Sequence, residues 1–238
     1  MPFRPLRRHG FPCTLRHSAL PPGRMVRFSL FGIPVEVQPW FWLTLGLIGG
    51  IGDAGTPDGL MRLLLFVLAG FISVMVHELG HALAGKRFGA PTAITLHAFG
   101  GYATFPAGRF TRTQDFLVTA AGPAIQLVLG GIFLAILKSG TSFAPMGRVF
   151  IEALTVISIF WAVLNLIPVI PLDGGRLMAS ILGPRQITLT LKISMIIAIV
   201  AAALLLNSKK IGLLFPVFLG FMAYQNWQEL QQRRQGGL

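Results

Sequence analysis

Two histidines four residues apart, with a glutamate beside the first, form the segment His77-Glu78-Leu79-Gly80-His81 inside a run of apolar residues. On a helix, positions i and i+4 share a face, so the two imidazoles project one above the other. Such a pair can hold a zinc ion, and Glu78 is placed as a general base for hydrolysis. A carboxylate deep in a membrane-spanning helix costs about 3 kcal/mol, so the cluster calls for a function. The alternative is a chance match on a buried helix.

A hydrolytic zinc site takes three protein ligands and keeps a fourth position open. Outside loops and termini the acidic residues are Glu78, Glu152 and Asp173. Glu152 falls near the far end of its helix. Asp173 emerges at the same end as the histidine pair and is the third ligand that topology favours. An acidic residue before Gly174-Gly175 is equally suited to capping a short helix, and the sequence does not separate the two roles.

The elements that must carry these residues are membrane helices. Hydrophobic residues make up 53% of the 238, only 12% are charged, and the mean hydropathy is +0.70; a soluble domain carries about twice that charge. At about 20 residues per span, the chain reads as an all-α polytopic membrane protein with about six transmembrane helices. The expected spans run from Trp40 to Ile51, Leu60 to Leu83, Phe116 to Leu137, Val149 to Ile167, Ile187 to Leu206 and Ile211 to Tyr224. The third contains the break Ala121-Gly122-Pro123. Residues 92–107, β-branched and glycine-interrupted, read as a small β-hairpin turning at Gly100-Gly101.

The net charge of +12 is spread in short basic clusters between apolar runs, and no nucleic-acid motif accompanies it. That is the pattern of cytoplasmic loops and excludes nucleic acid as a partner. With both termini inside the cell, 15 of the 20 Lys and Arg lie on the cytoplasmic side, giving a multi-pass protein of the cell membrane. The histidine pair then sits about 8–13 Å below the cytoplasmic boundary. Residues 1–27, rich in Arg and Pro without an acid, read as a disordered basic segment. They also resemble a transit peptide, and Met25 is an alternative start. The single cysteine, Cys13, has no internal partner.

Asn165 through Gly174 follows an N-x-x-P-x-x-x-x-D-G pattern. Together with the His77–His81 segment and the Ala121-Gly122-Pro123 break, it resembles the site-2 protease family of intramembrane zinc metalloproteases, closest in layout to its compact, six-span, sporulation-type branch. The resemblance covers about residues 28–230, leaving 231–238 as a short cytoplasmic tail. It implies one zinc ion held by His77, His81 and Asp173, with Glu78 as the catalytic acid/base. It also implies that the hairpin is re-entrant, so that Gly100 and Gly101 belong to an edge on which an unwound transmembrane substrate could pair. Asn165 is expected either to donate a hydrogen bond at the site or to cap backbone freed by Pro168. The family often carries Asn where this chain has Gln126, which puts substrate selectivity at that position in question. The implied activity is hydrolysis of transmembrane protein substrates in the lipid bilayer, as in regulated intramembrane proteolysis. An inhibitory membrane partner and a homo-oligomer are both compatible with it. Two rivals stand beside this reading. One is a silent client-binding protein of the same fold; the other is a metal transporter, which would need polar residues along several spans.

Overall fold

The computed structural model describes residues 25–98, 100–206 and 213–235. Cys13, His9 and His17 lie outside them. Strands β1 (Val26–Leu30) and β2 (Ile33–Val37) come first, then α1 (Pro39–Ile48) and α2 (Pro57–Arg87). Strands β3 (Ala93–His97) and β4 (Gly100–Thr104) follow, then α3 (Arg112–Lys138), α4 (Pro145–Asn165), α5 (Asp173–Leu182), α6 (Ile187–Leu206) and α7 (Leu214–Gln235).

The largely helical membrane class is as expected, but the spans differ in number. Four helices among the described residues are long and apolar enough to cross a bilayer, built around α2, α3, α4 and α6. The expected first span is only ten residues long, about 15 Å at 1.5 Å per residue. It stops because Gly49 caps it and Gly50 takes a positive φ of 85°, a conformation side chains with a Cβ disfavour. The expected sixth span corresponds to α7, whose first half is apolar while the second, from Gln225, is polar. Residues 211 and 212 lie outside the described part.

The hairpin is real but belongs to a larger sheet. Strands run in the order β1-β2-β3-β4, with β2 and β3 parallel and the outer pairs antiparallel. β1 begins inside the segment expected to be disordered, since Val26 pairs with Val37 and Arg27 with Glu36. Ile33, Val35 and Val37 alternate inward, as one face of a strand must, and join Ile94, Leu96, Phe41, Val74 and Leu79 in one apolar core. The β1–β2 turn places Phe31 and Gly32 at φ of 52° and 71°, the primed-turn geometry of tight hairpins. Lys86 at the end of α2 donates to the Phe31 carbonyl at 2.8 Å and secures it. Because β2 and β3 are neighbours, the chain leaves the sheet along α1 and returns to it at the end of α2.

α2 is 31 residues long, about 46 Å. Thr56 accepts from the Gly59 N–H at its start, Asp58 lies in its first turn, and Lys86 and Arg87 lie in its last; each complements the helix dipole. α3 opens with a capping box between Thr111 and Gln114 and continues through Pro123 without a break. Proline is tolerated within a membrane helix when its neighbours re-satisfy the backbone. α2 and α3 cross at small residues: a Cβ on Gly80 would lie 2.6 Å from the Ala121 carbonyl oxygen, the close approach that small residues permit between membrane helices. Gly80→Ala is therefore expected to cost about 1–3 kcal/mol, read as a lowered unfolding midpoint of the detergent-solubilised protein.

Candidate metal and catalytic site

His77 and His81 sit on one face of α2, six or more residues from its sheet end, and both are buried. Each ring is oriented from behind. His77 Nδ1 lies 2.9 Å from Gln126 Oε1 on α3, and the Gln126 amide nitrogen donates to the Ser73 carbonyl and hydroxyl at 3.3 and 2.9 Å. His81 Nδ1 lies 2.8 Å from the Val118 carbonyl oxygen. Both partners are acceptors only, so both Nδ1 atoms carry the proton and both Nε2 atoms present a lone pair.

The two Nε2 atoms face each other at 3.0 Å. Asp173 Oδ2 lies 3.0 Å from the first and 3.3 Å from the second. It is buried and receives no hydrogen bond among the described residues. Three acceptors thus converge with no proton among them, and a single added proton could bridge only two. Donors at about 2.0–2.1 Å from a tetrahedral zinc stand about 3.3 Å apart, close to the observed edges. The trio is thus a group able to hold a metal ion.

Asp173 reaches this point because α5 starts there. The N-cap is Leu172, which makes no side-chain cap bond, and Asp173 is the first helical residue. Its carboxylate is turned to the imidazoles rather than to the helix end, so it does not cap α5. Gly174 and Gly175 let the first turn of α5 lie against the preceding loop: a Cβ on Gly174 would collide with the carbonyls of Leu166 and Ile167, and one on Gly175 with the backbone at Val169 and Ile170.

Glu78 is buried on the same turn and lines the cleft, and its carboxyl makes no hydrogen bond among the described residues. It packs on β4, where a Cβ on Gly101 would lie 2.6 Å from Glu78 Cγ. Gly122 serves His81 in the same way, since a Cβ there would collide with the imidazole. The cleft has a volume of about 1050 Å³ and is bounded by α2, β4, α3, α5, α7 and the end of α4.

The remaining expected residues divide. Asn165, last in α4, lines the cleft with a half-buried side chain that makes no hydrogen bond among the described residues. Gly100 and Gly101 line the cleft too, but they open β4 rather than form the turn, since Gly100 pairs with His97. Gly100 has a φ of 122° and packs under Trp161. Gln126 is corrected: its side chain is fully buried and committed to His77 and Ser73, with nothing left to offer a substrate. Ser73 and Ser158, 3.0 Å apart, extend this chain to α4 and were not anticipated. The available signal was Ser73 lying one turn before His77 on the same face.

The fold and this site define a polytopic membrane protein built around an α2–α5 metal-binding pair. Comparison with known proteins is consistent with this. The profile of peptidase family M50 matches residues 65–146 and 138–208. A Synechocystis protein carrying a provisional zinc-metalloprotease name is 35% identical over 223 residues, covering 83% of this chain and 57% of its own. Stage IV sporulation protein FB of Bacillus subtilis is 27% identical over 209 residues, 84% of this chain and 67% of its own. The solved site-2 protease of Methanocaldococcus jannaschii superposes with a TM-score of 0.60 at 27% identity, over 85% of this chain and 94% of that one. The chain belongs to peptidase family M50. It spans little more than half the length of the Synechocystis relative.

Gln126→Leu keeps the volume but removes the acceptor from His77. Loss of such an orienting partner typically weakens metal binding 10–100-fold, and chelator competition on the purified variant is expected to show a loss of that size.

Proposed function

We propose that this protein is an intramembrane zinc metalloendopeptidase that hydrolyses peptide bonds within or next to transmembrane helices of membrane proteins. The observation that carries the proposal is the buried convergence of three proton-free acceptors, His77 Nε2, His81 Nε2 and Asp173 Oδ2, beside the uncommitted carboxyl of Glu78. His77, His81 and Asp173 hold the zinc ion. Zinc there supplies a Lewis acid for the peptide carbonyl and acidifies the attacking water.

Glu78 takes the proton from the attacking water onto its carboxylate and returns it to the leaving amine nitrogen. Burial against Gly101 keeps that carboxylate in one place beside β4. Among the described residues the outer edge of β4 has no strand partner, so its backbone groups are free to pair with an unwound substrate segment. Asn165 offers its amide to the same segment. Entry of an extended chain, rather than a helix, is what this edge favours, because a helix has no free backbone groups to share. Both termini face the cytoplasm in this reading, with cleavage near that side of the bilayer in a regulated proteolytic event.

A client-binding protein of this fold without activity would not need Glu78. Glu78→Gln is expected to retain one zinc per chain while cleavage of a reconstituted transmembrane substrate falls by about 10²–10⁴-fold; undiminished cleavage would overturn the assigned role. Asp173→Ala is expected to lose both zinc and activity, measured by metal analysis of the purified variant, and full zinc stoichiometry would place the third ligand elsewhere.

A further inference from the structure

The backbone just before Asp173 is held from two sides by helices outside the bundle of α2, α3 and α4. The Ile170 N–H donates to Ser194 Oγ on α6 at 3.2 Å, and the Ile170 carbonyl accepts from Asn226 Nδ2 on α7 at 2.7 Å. Asn226 is 2% exposed and shares the same amide with the Met222 carbonyl. Among the described residues, no other hydrogen bond joins α6 or α7 to the chain before α5. Apolar packing follows the same route, with Val169 and Leu172 in one cluster with Ala198, Leu219 and Met222.

Ile170 is coupled directly to the proposed ligand. The Leu172 N–H donates to the Val169 carbonyl at 2.8 Å, making a tight turn. The first turn of α5 rests on this backbone at Gly175 with no room for a Cβ. A shift of Ile170 therefore displaces the start of α5, where Asp173 sits. α7 also contributes Phe218, Phe221 and Gln225 to the cleft wall, so the helix that borders the substrate space is the one that holds the ligand loop.

We infer that Ser194 and Asn226 are positioning residues that clamp Ile170 and so set how tightly Asp173 engages the metal. This rests on the zinc reading above. The test uses the full chain in detergent, loaded with zinc, and follows the rate of zinc loss to a chromophoric chelator. Asn226→Leu is expected to accelerate loss about tenfold or more, the range of outer-partner substitutions at metal sites. Ser194→Ala is expected to do so severalfold, and Ser194→Thr, which keeps the hydroxyl, to stay near wild type. Leu230→Ala, at a buried α7 position one turn beyond Asn226 whose apolar side chain cannot bond the Ile170 carbonyl, is expected to lower the unfolding midpoint without changing zinc loss.

Wild-type release rates in Asn226→Leu would overturn the inference, as would equal acceleration by Leu230→Ala. If Asn226→Leu fails to fold, the serine pair decides: equal rates for Ser194→Ala and Ser194→Thr would overturn it. A wild-type chain that takes up no zinc would instead overturn the zinc reading, and this inference with it.

Discussion

Three electron pairs meet in a buried space between α2 and α5, and among the described residues no proton lies between them. A buried unsatisfied acceptor costs about 1–3 kcal/mol, more when it is charged, so this arrangement is unfavourable unless a cation fills it. Much of the surrounding structure is built to hold the three groups there. The hydrogen bonds to Val118 and Gln126 commit the far nitrogens, which is what frees the near ones. Had either partner been a donor, one imidazole would have turned its proton inward and the site would repel a metal ion.

The same constraint explains where glycine is required. Gly122 admits the His81 ring against α3, Gly101 admits Glu78 against β4, and Gly174 and Gly175 bring α5 onto the loop behind it. These glycines come from three elements, α3, β4 and α5, and share one consequence: the site's side chains and the turn that carries Asp173 approach backbone more closely than a Cβ would permit. In a membrane protein this matters twice. Close approach lets polar side chains find backbone partners where water is scarce, and it fixes their positions without long, flexible side chains.

The parts legible in the sequence were those encoded by local spacing. His77, Glu78 and His81 are placed by helical periodicity alone, and Asp173 by the end of the helix from which it emerges. The hairpin was legible as a β-branched, glycine-broken interval too short to cross a bilayer. β1 and β2 were not, although Ile33, Val35 and Val37 alternate as a strand should, because five-residue strands beside a basic, proline-rich run give little signal. The first span was over-read because apolar composition continues to Ile51 while Gly49 and Gly50 end the helix earlier. Partnerships between helices, such as Gln126 with His77 and Asn226 with Ile170, depend on rotation and crossing, which spacing along one chain does not report.

Gln126 shows what such a partnership changes. Read along the chain, an amide three residues past Pro123, beside the expected metal ligands, suggests contact with substrate. In the fold its side chain spans from His77 to Ser73, with the oxygen serving one and the nitrogen the other. Asparagine, shorter by a methylene, would have to give up one of these bonds unless α2 and α3 moved closer together, and Gly80 already lies against Ala121 with no room to spare. The residue at this position is therefore tied to the distance between two helices and to the tautomer of a metal-facing imidazole. On the proposed function, contact with substrate falls to groups with free surface on the cleft. Among them are the Asn165 amide, the outer edge of β4, and the exposed Arg176 one turn beyond Asp173.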